Sequence, residues 1–299
     1  MDQMHIFRRL FVQVGLIKII CFLAVFPTLG IIWAAESPNG KMGVFVSILP
    51  QADFVKRVGG EHVKVEVLVG PGQSPATYEP TPRQLAKLSR SRIYFRIGVP
   101  FENVFINRMP GAIKGLDIVD MREGVTLRFF SQSGGFEIPD PHIWLDPKRV
   151  KIQAKTVFEA LARVDPSNRT EFKTNLQSFQ LDLDRLDNMI AEVLAPLRGQ
   201  RIYVFHPAFG YFCESYGLIQ VAVEGEGKGP GPKGLAKLIK RARTDRVKVI
   251  FVQPQYSKRD AETIASAIGG VVVPLDPLPR DYLKELESMA EVLRRALLR

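Results

Sequence analysis

The sequence predicts an α/β protein of two Rossmann-like lobes with parallel sheets, joined by a long rigid interdomain helix. Three observations carry this. Short β-like runs alternate with helical ones from Val44 to about Val164. A second alternation starts at Arg201. Between them an apolar seam continues without a break over roughly 30 residues, at the spacing of one helix face.

In the first alternation the predicted strands are Val44–Leu49, Val63–Val69, Ile93–Phe95 and Asp117–Val119. Their Val, Ile and Phe content suits sheets covered by helices on both faces. The loop GPGQSPATYEPTP (70–82) leaves the second strand and enters a helical run at Gln84. In the second alternation the strands are Arg201–Phe205, Val247–Val252 and Val271–Val273. Asp165-Pro166 reads as a cap and first turn for the connecting helix. Its seam is Phe172, Leu176, Phe179, Leu183, Leu186, Ile190, Val193 and Leu197. A coiled-coil dimer is the other use of such a seam, but one helix packed across both lobes accounts for it more simply. The domains expected are a signal or anchor (1–35), an N-terminal lobe (36–164), the helix (165–198) and a C-terminal lobe (199–299).

The 299 residues suffice for two ordinary domains, and 46% hydrophobic against 24% charged residues is a globular balance. Arg8, Arg9 and Lys18 precede an uncharged apolar run from Ile19 to Ala35, the pattern of an export signal. An uncleaved membrane anchor is the competing reading. Both put the folded part in the periplasm or at the cell surface. Beyond the signal Cys213 stands alone, so no internal disulfide can be drawn. The formal net charge of +10 suits anionic surfaces. The densest basic run, Lys233 to Lys248, is instead the wet face of an amphipathic helix, and nucleic acid is not expected as a partner.

Two of the four histidines stand in unusual settings. His142 lies in PDPHIWLDP and His206 in YVFHPAFGYF, where a strand or loop gives way to a helix beside prolines. Asp276, in VVVPLDPLPRDY, follows a strand directly. Ligands of open α/β sheets bind beyond the carboxyl ends of strands. Two imidazoles and a carboxylate converging there suit a borderline cation such as Zn²⁺. His62, in a polar turn, reads as a surface residue.

The stretches GPGQSPATYEPTPRQLAKL, PHIWLDP, FHPAFGYF, VEGEGKGPGPKGL, VIFVQPQYS and LDPL, in this order, resemble the zinc/manganese-type ABC-transporter periplasmic substrate-binding proteins, the cluster A-I metal-binding lipoprotein and adhesin family. The likeness runs from about Met42 to Val292. It implies two α/β lobes holding one metal between them and delivering it to a membrane permease, with no catalysis and a monomeric protein. His142, His206 and Asp276 match three of that family's four metal ligands. A histidine at the third position resembles the zinc-type members, with Mn²⁺ or another divalent ion as alternatives. The family's first-loop histidine is replaced by Ala76. Water, Glu79, Gln73 or a chelator carried with the metal are the candidates to complete the site.

Two other classes stay open at this point. A metal-dependent hydrolase would use three donors and an open water, but no H-E-x-x-H occurs and no recognisable acid or base flanks the histidines. A surface adhesin or diverged binding protein would keep the fold for another ligand, such as a metal chelate. Gly229–Gly234 satisfies G-x-G-x-x-G, yet its prolines oppose a close pyrophosphate cradle.

Overall fold

Strand and helix alternate twice along the chain, and each series builds one parallel sheet. The computed structural model describes residues 40–107, 115–131, 137–224, 231–256 and 258–298. The predicted export segment and the first two residues of the Gly229–Gly234 stretch lie outside them.

The first sheet comprises β1 (Met42–Val46), β2 (Val63–Val67), β3 (Ile93–Arg96) and β4 (Asp117–Asp120), in the order β2-β1-β3-β4. The second comprises β7 (Arg201–Val204), β8 (Ile219–Ala222), β9 (Val249–Val252) and β10 (Val271–Pro274), in the order β8-β7-β9-β10. The two orders are the same pattern. Every pair in both sheets is parallel. The inner strands are buried runs, Val44-Phe45-Val46 in β1 and Val249-Ile250-Phe251-Val252 in β9, as a doubly covered parallel sheet requires. Pro274 closes β10, an edge strand, where a missing N–H is harmless. A short antiparallel pair, β5 (Phe129–Ser131) with β6 (Glu137–Pro139), precedes His142. That pair and β8 were not expected from the sequence.

The helices are α1 (Leu49–Gly59), α2 (Pro82–Leu88), α3 (Pro100–Asn107), α4 (Pro147–Val164), α5 (Arg169–Leu194), α6 (Gly210–Tyr216), α7 (Pro232–Thr244), α8 (Lys258–Ile268) and α9 (Tyr282–Leu297). Four of them open on proline, which has no N–H to lose in the first turn. In α2, Thr81 Oγ1 accepts Gln84 N–H at 3.3 Å, and Gln84 Oε1 accepts Thr81 N–H at 3.0 Å. Among the described residues no helix is long and apolar enough to cross a membrane.

α5 is the predicted connecting helix, with 26 residues and a length of about 39 Å. The entry differs from expectation. Residues Pro166–Asn168 form a 3₁₀ turn, and Asp165 caps no backbone amide; its Oδ2 accepts Asn168 Nδ2 at 2.6 Å. The seam is buried at Phe172, Leu176, Phe179, Leu183, Leu186 and Ile190, then at Leu194 in place of the more exposed Val193. An α-helix drifts from a strict seven-residue repeat, so the stripe moves over by one position at this end. The seam packs on α1, α4 and α9 of the same chain, which leaves it no face for a coiled-coil partner. Asn175 Nδ2 donates to Val58 O of α1 at 3.1 Å, and Tyr216 OH of α6 donates to Asp187 Oδ1 at 3.0 Å. One hydrophobic cluster contains Val46 and Phe95 of the first sheet, Leu183 of α5 and Val204 and Phe251 of the second. Cys213 is buried in α6, and burial pushes its thiol up to about 12, so it is inert at neutral pH.

Candidate metal centre

His206 stands two residues beyond β7. With the order β8-β7-β9-β10, the chain leaves β7 for one edge and returns on its other side as β9. The carboxyl ends of β7 and β9 are therefore the topological switch point of this sheet. The fully buried Gln253, just past β9, fixes the backbone there: its Oε1 accepts His206 N–H at 3.0 Å and its Nε2 donates to His206 O at 2.9 Å. The ring is held by Glu224, buried just past β8, whose Oε1 lies 2.8 Å from His206 Nδ1.

His142 comes from the other lobe, one residue before the 3₁₀ turn Ile143–Leu145. Asp140, with Pro139 and Pro141 around it, is 1% exposed. Its Oδ1 accepts His142 N–H at 3.0 Å and faces His142 Nδ1 at 2.7 Å. Tyr211 of α6 donates its hydroxyl to Asp140 O at 2.9 Å and accepts Arg128 N–H at 2.8 Å, so the second lobe braces the first at this point. Gly210 permits that approach: a Cβ there would sit 2.9 Å from Asp140 Oδ2.

The two imidazoles meet across the lobes with Nε2···Nε2 at 3.3 Å. A carboxylate accepts hydrogen bonds, so each Nδ1 facing one carries the proton, and each Nε2 carries a lone pair. Two lone pairs aimed at each other repel unless a cation lies between them. The separation has a definite meaning. Zn–N bonds of 2.0–2.1 Å at the tetrahedral angle put two ligand nitrogens about 3.3–3.4 Å apart. A right angle at the same bond length would bring them to about 2.8–3.0 Å. A pair at this separation fits one edge of a zinc tetrahedron, and Asp140 and Glu224 stand behind the two rings as outer carboxylates do behind metal-binding histidines in general. Burial holds the His206 imidazole below its ordinary pKa despite the upward pull of Glu224, and the His142 ring lowers it further.

Asp276 is not gathered into the same cluster. Among the described residues no group of three or more His, Cys, Asp or Glu side chains is placed to hold a metal ion. Asp276 is exposed, and its Oδ1 accepts Gln255 Nε2 at 2.9 Å and Leu278 N–H at 3.0 Å. Both histidine segments nevertheless tether its loop. Trp144 Nε1 donates to Pro277 O at 2.6 Å, and Gln255 adjoins Tyr256, whose ring stacks on His206 at 4.8 Å and 20°. In the first loop Ala76 is exposed, and its N–H donates to Ser74 Oγ at 3.3 Å. Gln73 Oε1 accepts Gly70 N–H at 2.7 Å, so the loop itself uses that side chain; Glu79 is exposed. His62, half-buried, pairs with Glu171 of α5 at 2.9 Å and meets the Phe172 ring at 5.6 Å, apart from the paired histidines.

Glu224, Gln253 and Tyr256 lie in the stretches that carry the family resemblance, but their spacing from the histidines gives no sign that they meet them. Asp140 is the exception in part, since a carboxylate two residues before a proline-flanked histidine is within local reach.

Two sheets of one topology, joined by a helix and facing each other across paired histidines, define a two-lobed solute-binding protein. The family model of the periplasmic zinc-uptake complex component A (ZnuA) matches residues 44–296, and the chain belongs to that family. The high-affinity zinc uptake system protein ZnuA of Bacillus subtilis is 27% identical over 262 residues, covering 82% of this chain and 81% of its own. A crystal structure of ZnuA superposes with TM-score 0.81 at 37% identity, covering 86% of this chain and 99% of that one. A zinc-bound ZnuA lacking its residues 138–173 gives 0.80 at 38%, covering 86% and 98%.

Proposed function

We propose that this protein captures a divalent metal ion, zinc first, outside the cytoplasm and hands it to the permease of an ABC transporter. The carrying observation is the 3.3 Å separation of two Nε2 atoms whose Nδ1 protons are held by buried carboxylates. His142 and His206 supply imidazole nitrogens. Asp276 joins through Oδ2, the oxygen left over when Gln255 and Leu278 engage Oδ1. Water completes the coordination, because Ala76 offers no donor and Gln73 is committed elsewhere. The functional units are residues 36–164 and 199–299 with 165–198 as their spine. The ion is cargo, and no turnover accompanies its binding. Because α5 and a shared core tie the lobes together, capture requires local adjustment and no wide hinge closure.

Protein purified without added metal and then titrated should bind one zinc per chain, competing with a chelator of known affinity. Absence of stoichiometric binding would end this reading, and metal-dependent ester hydrolysis would replace it with the hydrolase.

The pH dependence has a definite sign. Only neutral imidazole binds metal. His206 titrates below the usual value of ~6.5, so zinc affinity should change little from pH 8 to 7 and fall as pH drops through the acid range. Below the His206 titration, each further pH unit costs that imidazole's contribution about tenfold. Competition titrations at pH 8, 7, 6 and 5 measure it; equal affinity at pH 7 and 5 is incompatible with histidine ligation.

A further inference from the structure

One corner of the second sheet lacks helical cover. Along the edge strand β10, Val272 packs with Ala261 and Ile264 of α8. Side chains alternate along a strand, so Val271 and Val273 turn to the opposite face, the side of α9. There the helical layer stops short, and Val271 is 58% exposed where a parallel sheet is ordinarily buried. The result is a groove of about 380 Å³ between β10 and the end of α9, walled by Val271, Val273, Val292 and Ala296. Lys248 and Arg295, both exposed, line it as well. Gly270 shapes its end: a Cβ there would sit 2.7 Å from Lys248 O, so glycine lets the turn into β10 close on β9. The groove lies at the amino ends of β9 and β10, the opposite end of the sheet from His206.

Charge decides what the groove accepts. Among the described residues no carboxylate pairs with Lys248. Arg295 Nε lies 3.9 Å from Glu291 Oε2, an oxygen that already accepts Arg294 Nε at 3.2 Å and Arg294 Nη2 at 3.0 Å. At the same end of the sheet Arg201 and Arg241 share Asp245 Oδ2 at 3.7 and 3.8 Å, and the Tyr203 hydroxyl donates to that oxygen at 2.6 Å. The nearby acids are thus committed, and the groove keeps two cations beside apolar walls.

We infer that this groove is a second binding site, for a single-chain anionic amphiphile of the long-chain fatty-acid type. Its carboxylate sits between Lys248 and Arg295, and its chain lies along the valines. The volume is at the small end of ligand clefts, roughly 300–1,000 Å³, which suits one chain better than the two of a phospholipid. A peptide strand added to the edge is disfavoured. Val271 N–H and Leu275 N–H point to β9, so the outward positions are Val272 and Pro274, and proline has no N–H to give.

The test is calorimetric titration of the full-length protein, with and without zinc, by octanoate, decanoate and dodecanoate below their micelle concentrations. One dodecanoate should bind per chain, with affinity rising by up to about fourfold per added methylene. Dodecanol, which has no charge, should bind more weakly, and dodecyltrimethylammonium more weakly still. Exchanging both cations, Lys248→Glu with Arg295→Glu, should weaken dodecanoate roughly tenfold. Val271→Asp should do the same from the apolar wall. Zinc affinity and melting should stay at wild-type values in both variants, since the substituted side chains are exposed. Absence of dodecanoate binding, or binding that both variants leave unchanged, overturns the site. So does equal binding of dodecanol. Binding to phosphatidylglycerol vesicles without binding of monomeric dodecanoate would make the corner a membrane contact and also overturn it. A dimer that Val271→Asp dissolves would assign the groove to a second copy instead. Should Val271→Asp fold poorly, the charge exchange alone decides. A protein that binds dodecanoate and no zinc would overturn metal capture and leave this site standing.

Discussion

Replacing His206 by alanine should abolish stoichiometric zinc binding, with affinity falling more than 100-fold. Removing an outer partner of a metal ligand typically costs about 10–100-fold, and removing the ligand itself exceeds that. Two further effects add to the loss here. Water and Asp276 would have to hold the ion with His142 alone, since Ala76 leaves no imidazole in reserve. Glu224, buried and accepting His206 Nδ1–H at 2.8 Å, would also lose its partner. His142→Ala should match it, because Asp140 holds His142 in the same way at 2.7 Å. Glu224→Gln separates the contributions: it keeps the donor nitrogen and loses only the carboxylate, so it should weaken binding by the smaller outer-partner factor. Chelator competition at pH 7.5 reads all three. An His206→Ala protein that keeps affinity within tenfold of wild type would place the metal elsewhere.

The pairing of His142 with His206 was legible because each histidine sits beside prolines where a strand or loop gives way to a helix, and open α/β sheets gather ligands at strand ends. The carboxylates behind the rings were not. Glu224 meets His206 only because β8 pairs beside β7, bringing the two strand ends together from 18 residues apart. No periodicity encodes that distance. Asp276 shows the limit from the other side. Its position at a strand end was read correctly, but its side chain turns to Gln255 and to its own loop, an Asx-type contact that an aspartate before proline makes readily. Apart from β8, the strands of both parallel sheets were visible as Val- and Ile-rich runs. β5 and β6, three residues each, are too short for alternation to register. The seam of α5 was read to within one residue, Leu194 for Val193, because burial on three partner helices imposes a stripe that sequence periodicity reports directly. Its start was misread, since Asp165-Pro166 suits an α-helical cap and a 3₁₀ turn equally well.

Phe54→Ala should cost about 3–5 kcal/mol, the usual price of emptying a buried aromatic site. Phe54 is fully buried in α1, where three helices distant in sequence meet. Its ring centroid lies 5.9 Å from Phe179 of α5 and 4.9 Å from Tyr282 of α9, the latter edge-on at 85°. Around it Arg57 Nε donates to Asp53 Oδ2 at 2.8 Å, and Tyr282 N–H donates to the same oxygen at 3.3 Å, so collapse into the cavity is resisted by fixed polar contacts. At about 2–4 °C per kcal/mol the loss corresponds to a melting point lower by roughly 6–20 °C. The form of the transition matters as much as its position. One cluster of buried side chains passes from the first sheet through α5 to the second, so damage at the α1–α5–α9 joint should lower a single transition and not split off one lobe. Calorimetry that resolves two transitions would show the lobes folding separately. Zinc offers the complementary check, because a ligand bound only by the folded protein restores stability by mass action. About 2.7 kcal/mol returns when free metal is 100 times its dissociation constant. Phe54→Ala should therefore regain much of its melting point with zinc, while His206→Ala, with an intact core and no site, should gain none.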